Sequence, residues 1–284
     1  MKIWCLSSNL DDKLEKYGMK IKKGKNYELI FIDYTSIEIK TGEEPTLFCM
    51  GEKLELPDAF WLWTTNTDVR IIENMLLSLG VKSITNLDEQ TVVRSKVATC
   101  NRMAKAGLPI PRTFVFFNHP SKEQIKEKFS YPFVIKPDNG LGGEGVALIH
   151  NDKELDDYLS DLKYGVAYLA QEYISASKGR DLRVIMLKGE ILLGVLRQAS
   201  NPDEFRSNVH VGGTAELYEV DEKARELCKK AAALFDLKLL GLDLMFTEDG
   251  FVFSEANSFP GLSKELRDKV TDIVIEDFIQ ENKA

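Results

Sequence analysis

"FVIKPDNGLGGEGVALIHND", Phe133 to Asp152, decides the fold, because its glycines at 140, 142, 143 and 145 match G-x-G-x-x-G in a setting that excludes the two best-known uses of that pattern. A dinucleotide-binding turn needs its glycines to open a helix, so that free N–H groups at the helix start face the pyrophosphate. Here the β-rich "VALIH" follows, and helix-forming sequence resumes only at Asn151. A protein kinase sets its glycine loop between strands, but its lysine lies on the next strand and H-R-D and D-F-G elements come later. Lys136 precedes this loop, and neither element occurs in the chain. Two readings stay open for the stretch. One is a mobile flap whose bare N–H groups close over phosphates, with Lys136 holding an α- or β-phosphate; the other is a glycine-rich hairpin with a surface lysine and no ligand.

Outward from the loop, the pattern alternates strand and helix. "RSKVATCNRMAKAGLPIP" reads as a helix stopped by Gly107 with Pro109 and Pro111 beyond it. "RTFVFF", "PFVIKP", "GVALI" and "AYLAQEYI" read as strands, interrupted by the helices "SKEQIKEKF", with a capping box at Ser121 and Gln124, and "NDKELDDYLSDL". "DLRVIML" and "EILLGVLRQAS" form a hairpin through Lys188-Gly189, and "DEKARELCKKAAALF" a helix. This order predicts α+β architecture, with helices on a mostly antiparallel sheet. Before it, "KIWCL", "YELIFIDY", "TLFCMG" and "AFWLWTT", with a helix over "TDVRIIENMLLSLG" whose Ile71, Met75 and Leu79 share a face, predict a small α/β unit; a new module begins near Arg94.

The partner of the glycine loop is "GLDLMFTEDGFVFSEANSFPG", Gly241 to Gly261. A three-residue turn at Glu248-Asp249-Gly250 sets Asp243 opposite Glu255, and Asn257 shares a face with Glu255. A two-residue turn would slip the register and undo that convergence. Two carboxylates opposed across a strand pair repel unless a cation lies between them, and two carboxylates with an amide oxygen make a hard set suited to Mg²⁺. Solvated carboxylates on an outer face are the competing reading, weakened by Phe251 and Phe253 on the same side as Glu255.

Further polar residues interrupt the strands. Glu172, Tyr173 and Ile174 end one strand, and Asp181 and Arg183 begin the next, which suits either an adenine edge and ribose or a salt-bridged surface hairpin. "EFRSNVHVGG" carries Arg206 and Asn208 beside a glycine pair, able to hold a phosphoryl group and an oxyanion; His210 reads as structural.

Bulk properties narrow the function classes. The 284 residues are 44% hydrophobic, enough to bury a sizeable core. A net charge of −8 argues against a broad nucleic-acid surface without excluding a local basic groove. Four cysteines scattered at 5, 49, 100 and 228 suit reduced buried thiols, and three histidines leave a metal site to oxygen ligands. The start lacks a leader pattern and no apolar run nears bilayer length, so a cytoplasmic protein with no membrane partner is expected.

Taken in order, "RSK…AGLPIP", "PFVIKPDNGLGGEGV", "QEYI…GRDLR", "FRSN-H-GG" and "GLDLMF…FSEANSFPGL" resemble the ATP-grasp superfamily, and within it the RimK-like α-L-glutamate ligases, from Arg94 to Leu262. The resemblance implies an ATP-grasp domain over 94–284, with a lid subdomain over 110–174 and a larger metal-binding subdomain over 175–284, after a Rossmann-like pre-ATP-grasp α/β domain over 1–93. It implies an ATP-dependent carboxylate–amine ligase. ATP phosphorylates a carboxylate, and an amine displaces phosphate from the acyl phosphate, joining an amino acid such as L-glutamate to a peptide, protein terminus or small-molecule acceptor. A small-molecule kinase and a non-catalytic nucleotide-binding module are the alternatives.

By motif, Lys96, Lys136, Gly142 and Gly143 would meet the ATP phosphates, Gln171, Glu172, Tyr173 and Ile174 the adenine, and Asp181 and Arg183 the ribose side. Asp243, Glu255 and Asn257 would ligate two Mg²⁺ (or Mn²⁺) ions, with Glu255 bridging, while Arg206 and Asn208 would steady the acyl phosphate and its adduct. Dimerisation, common among such ligases, is a further implication. Two positions depart from the family pattern: Val211 stands where an arginine is frequent, removing a charge near the amino-acid or acceptor site, and Phe259 where a small residue is usual.

Overall fold

The runs rich in β-branched and aromatic residues form strands in a computed structural model that describes residues 1–8, 19–64, 66–117, 119–140, 142–207 and 213–283. The chain divides into two compact units, Met1–Gln90 with Gly261–Ala284, and Thr91–Pro260.

In the first unit, β1 (Lys2–Ser7) lies parallel between β3 (Glu28–Asp33) and β7 (Ala59–Leu62). β8 (Lys82–Ser83) extends this sheet parallel to β7, and β2 (Met19–Lys23) closes its other edge antiparallel to β3. A strand with neighbours on both sides and cover on both faces reads as a continuous apolar run, as Ile3 to Leu6 does. β4 (Ile37–Lys40), β5 (Thr46–Cys49) and β6 (Glu52–Lys53) make a separate antiparallel sheet. Helix α1 (Arg70–Ser78) buries Ile72 and Leu76, while Ile71, expected on the inner face, is 67% exposed. A 3₁₀ turn at Thr67–Val69 leads into the helix with Val69 buried, and this sets the phase of the buried stripe at 69, 72 and 76.

Helix α2 (Leu87–Arg94) runs across the boundary in sequence, and Ser95 then caps α3 (Lys96–Lys105), which ends at Gly107 with φ +73° as the sequence predicts. The second unit holds two antiparallel sheets. The smaller has the order β11 (Ala147–Ile149), β10 (Phe133–Pro137), β12 (Tyr168–Glu172), β9 (Thr113–Phe116). Helices α4 (Lys122–Lys126), which has the predicted capping box, and α5 (Asp152–Ser160) contribute Ile125, Leu155 and Leu159 to its core. The larger has the order β15 (Thr214–Tyr218), β14 (Glu190–Gln198), β13 (Arg180–Leu187), β16 (Leu239–Phe246), β17 (Phe251–Asn257). Met103 of α3 and Ala224, Cys228 and Ala231 of α6 (Glu222–Ala232) pack on one face of that sheet against Leu182, Val184, Leu242 and Leu244. Alternation then puts Asp181, Arg183 and Asp243 on the opposite face, which is the face of the site.

Helix α7 (Lys264–Glu281), which follows the second unit in sequence, groups by its contacts with the first. Asp272 accepts from the Tyr27 hydroxyl, Asn26 donates to Glu276, and Lys82 donates to Asn282. The four cysteines are buried thiols, and no described helix is long and apolar enough to cross a membrane.

Candidate functional site

A cleft open to solvent lies within the second unit. The glycine loop, the end of β12 and the polar face of the larger sheet line it together.

The loop leaves β10 at Pro137 and returns at β11, a strand-to-strand connection. Gly142, Gly143 and Gly145 adopt φ of +63°, +85° and +70°, and a Cβ on Gly140 would stand 2.8 Å from the Pro137 ring. The glycine pattern is therefore fixed first by backbone geometry. Lys136 is 7% exposed and burial pushes its ammonium below the usual lysine range, against the pull of Glu255. Lys96, in the first turn of α3, donates to the carbonyls of Asp138 (3.0 Å) and Gly140 (2.8 Å) and stands 3.7 Å from a Glu255 oxygen. Both lysines thus meet at the loop and face Glu255.

At the end of β12, Glu172, Tyr173 and Ile174 line the cleft with Val134 and Met245, an apolar slot edged by backbone. The Gln171 amide donates to the Thr113 hydroxyl at 2.8 Å, and the Glu172 carboxylate accepts from the Arg112 amide at 2.9 Å. Their side chains are thereby engaged within the smaller sheet.

Across the larger sheet runs a row of alternating charge. Arg197 on β14 pairs in register with Asp181 on β13, and Arg183 on β13 with Asp243 on β16, which opposes Glu255 on β17. Arg183 forks onto Asp243 (2.7 and 2.6 Å), while Arg197 forks onto Asp181 and also reaches Asp243 at 2.9 Å. Asp243 is 1% exposed; burial alone would raise its pKa, but the two guanidiniums outweigh that and hold it well below the usual carboxylate range. Burial pushes the Asp181 carboxyl up against the fork with Arg197. Arg183, expected on the ribose side, stands in register with Asp243 on the neighbouring strand, forks onto it, and does not line the cleft. Arg197 was missed by sequence reasoning: a bulge at β13/β14 shifts the hairpin register by one, so the Lys188-Gly189 turn alone would not have placed it opposite Asp181.

Asp243 and Glu255 do meet, by a route other than the expected one. The hairpin pairs Phe246 with Phe251 and Leu244 with Phe253, a register that a three-residue turn does not give, and an extra residue, Ser254, restores the pairing of Asp243 with Glu255. The bulge also separates the faces. Phe251, Phe253 and Ala256 enter the core, whereas Ser254 and Glu255 both line the cleft, so the phenylalanines do not share Glu255's side as expected. Asn257 Nδ2 comes 3.4 Å from Asp243 Oδ2.

As a metal site, this set offers two carboxylates opposed on adjacent strands and one amide, all hard ligands that fit Mg²⁺ when phosphates and water complete the shell. Among the described residues no group of three or more His, Cys, Asp or Glu could hold a metal without such help. Arg206 lines the cleft, forked onto Glu204 (2.9 and 2.8 Å) and donating to the Gly143 carbonyl at 3.3 Å; its hydrogen bonds draw Glu204 down to about 2. Asn208 and Val211 lie outside the described residues.

The two antiparallel sheets and the glycine-looped cleft define the ATP-grasp type of fold. A crystal structure of D-alanine–D-alanine ligase from Bacillus anthracis complexed with ATP superposes with a TM-score of 0.69 at 16% identity, covering 100% of this chain and 98% of that one. The RimK-like ATP-grasp domain model matches residues 93–280, and the chain belongs to the RimK-like ATP-grasp family. A probable alpha-L-glutamate ligase of Cellvibrio japonicus is 29% identical, covering 92% of this chain and 89% of the relative. Another, of Shewanella halifaxensis, is 33% identical over 271 residues and 92% of this chain, which spans only 58% of that relative's length.

Proposed function

We propose that the protein is an ATP-dependent carboxylate–amine ligase that adds an amino acid to an amine-bearing acceptor. The convergence of Lys96 and Lys136 at the glycine loop with Asp243 and Glu255 facing them carries the reading. Two cations beside a flap of bare N–H groups fit the phosphates of a nucleotide, and the oxygen donors opposite fit the ion that accompanies them.

In this reading the adenine enters the slot between Val134, Ile174 and Met245, with its edge on the backbone of 172–174. Asp181 offers the ribose hydroxyls the lone pairs that Arg197 leaves. Asp243, Glu255 and Asn257 would hold Mg²⁺, which when bound offsets charge on the phosphates. A substrate carboxylate oxygen attacks the γ-phosphorus, the bond to the β-bridging oxygen breaks, and ADP leaves. The amine then attacks the acyl carbon, and phosphate departs with the electrons of the broken C–O bond. Arg206 faces the glycine loop, where it can balance charge on the transferred group. Holding the reactants in order replaces a nucleophilic side chain, which the cleft does not need.

The test is ADP release that requires both an acid and an amine, with an amide and free phosphate found by mass spectrometry. ATP turnover on a hydroxyl acceptor alone, yielding a phosphate ester, would sink the proposal. Glu255→Gln is expected to abolish turnover in a folded protein; an active Glu255→Gln would remove the metal assignment.

A further inference from the structure

The buried carboxylate of Asp138 has no part in the site as described so far, yet it joins the glycine loop to the helix that carries Lys96. Its Oδ1 accepts from the Val97 amide at 2.8 Å, and its Oδ2 accepts from the Ser95 hydroxyl at 2.8 Å. Ser95 in turn caps α3 by accepting from the Ala98 amide at 3.0 Å. The first turn of a helix leaves N–H groups without intrahelical partners, and here one is met by the helix's own cap and one by a residue 41 positions away in sequence. A carboxylate at that end also opposes the positive pole of the helix.

The backbone of Asp138 is fixed as well. Its N–H donates to the Ala167 carbonyl at 2.9 Å, and its own carbonyl accepts from Lys96. The start of the loop, the N-terminus of α3 and the root of the Lys96 side chain are therefore bound at one residue. When the Lys96 ammonium leaves the loop carbonyls for a phosphate, the two side-chain bonds of Asp138 persist, because neither involves that ammonium.

We infer that Asp138 is a positioning residue for nucleotide capture: its carboxylate locks the start of the glycine loop to the first turn of α3 and so fixes Lys96 relative to the loop amides. The inference rests on the nucleotide-binding reading above. Its side-chain contacts are uncharged in their donors, so an asparagine can keep them, with Oδ1 accepting from Val97 and Nδ2 donating to Ser95.

The full chain carrying Asp138→Ala, Asp138→Asn or Ser95→Ala is titrated with ADP by calorimetry, and its ATP KM and kcat are measured alongside amide hydrogen exchange without nucleotide. Asp138→Ala is expected to weaken ADP binding and raise the KM for ATP roughly tenfold, the scale of one or two lost hydrogen bonds, with a smaller change in kcat. Exchange between Asn139 and Val146 should quicken, and Asp138→Asn should restore most of both. Wild-type affinity in Asp138→Ala, or equal defects in the alanine and asparagine variants, overturns the inference. Should Asp138→Ala not fold, Ser95→Ala is read the same way, with a roughly threefold loss supporting the inference and unchanged affinity opposing it. If the wild-type chain binds no adenine nucleotide, the nucleotide reading fails; exchange then decides the clamp, quickened exchange in Asp138→Ala supporting it and unchanged exchange removing it.

Discussion

Asp243 and Glu255 are paired on adjacent strands and share one proposed task, yet their surroundings set them apart. Asp243 is 1% exposed and is the common acceptor of Arg183 and Arg197, whereas the Glu255 side chain is 26% exposed with Lys96 at 3.7 Å. Breaking a buried pair by removing one partner leaves uncompensated charge and costs about 3–5 kcal/mol, while an exposed or half-exposed pair contributes about 0–1 kcal/mol. Asp243→Asn should therefore lower the urea midpoint strongly, and Glu255→Gln should leave it nearly unchanged although both variants lose turnover. Urea unfolding followed by far-UV circular dichroism checks the contrast, and equal midpoints for the two variants would refute it. The sequence announced both acids through their spacing in one hairpin, but not this division. The partners that divide them, Arg183 and Arg197, come from strands some 46 to 60 residues away.

At the scale of elements, the β16–β17 hairpin shows how one extra residue reconciles a core face with a cleft face. Removing Ser254 would leave Phe253 opposite Leu244 and Glu255 opposite Asp243 in a regular ladder, so the inward phenylalanines keep their places. Removing Val252 instead would shift Phe251 across the strand and draw an aromatic ring out of the core. The Ser254 deletion is expected to yield a folded protein, and the Val252 deletion one that loses several kcal/mol or fails to fold, by the usual cost of losing a buried aromatic side chain. Thermal melts of the two deletion variants check this, and a less stable Ser254 deletion would show that the bulge, rather than the flanking register, holds the hairpin. Strand and helix positions were legible because alternation, capping residues and glycine stops act locally: the capping box at Ser121, the end of α3 at Gly107 and the strand placement of the glycine loop all follow from neighbours. Bulges were not legible, since an extra residue is tolerated or not according to what lies on the next strand. The meeting of Asp243 and Glu255 was thus foreseen from a turn that does not form, and Arg197 escaped for the same kind of reason.

For the whole molecule, chain order and spatial grouping part company at the last helix. Helix α7 buries Val270, Thr271, Val274, Ile275, Phe278 and Ile279, a stripe at spacings of one and four that any helix with one covered face displays. Such a stripe is plain in sequence, but it carries no address, and nearness in sequence would join it to the β16–β17 hairpin. The polar contacts give the address: Asp272 and Glu276 meet Tyr27 and Asn26, and Lys22 lies 3.3 Å from Asp268 and 3.2 Å from Asp272. The burial of these carboxylates' neighbours pushes the Tyr27 hydroxyl upward, since desolvation and the adjacent acids both oppose its ionisation. A charge placed in the stripe should therefore loosen residues nearly the whole chain away in sequence. Ile275 is fully buried, and Ile275→Asp removes its packing and adds a carboxylate, together costing on the order of 3–5 kcal/mol. Hydrogen exchange read by mass spectrometry should quicken across Met1–Gln90 while peptides within Thr91–Pro260 keep most of their protection, because the lost contacts lie in the first unit. Quickened exchange confined to Thr91–Pro260 would mean that α7 supports the unit that holds the cleft, and the division of the chain would have to be redrawn.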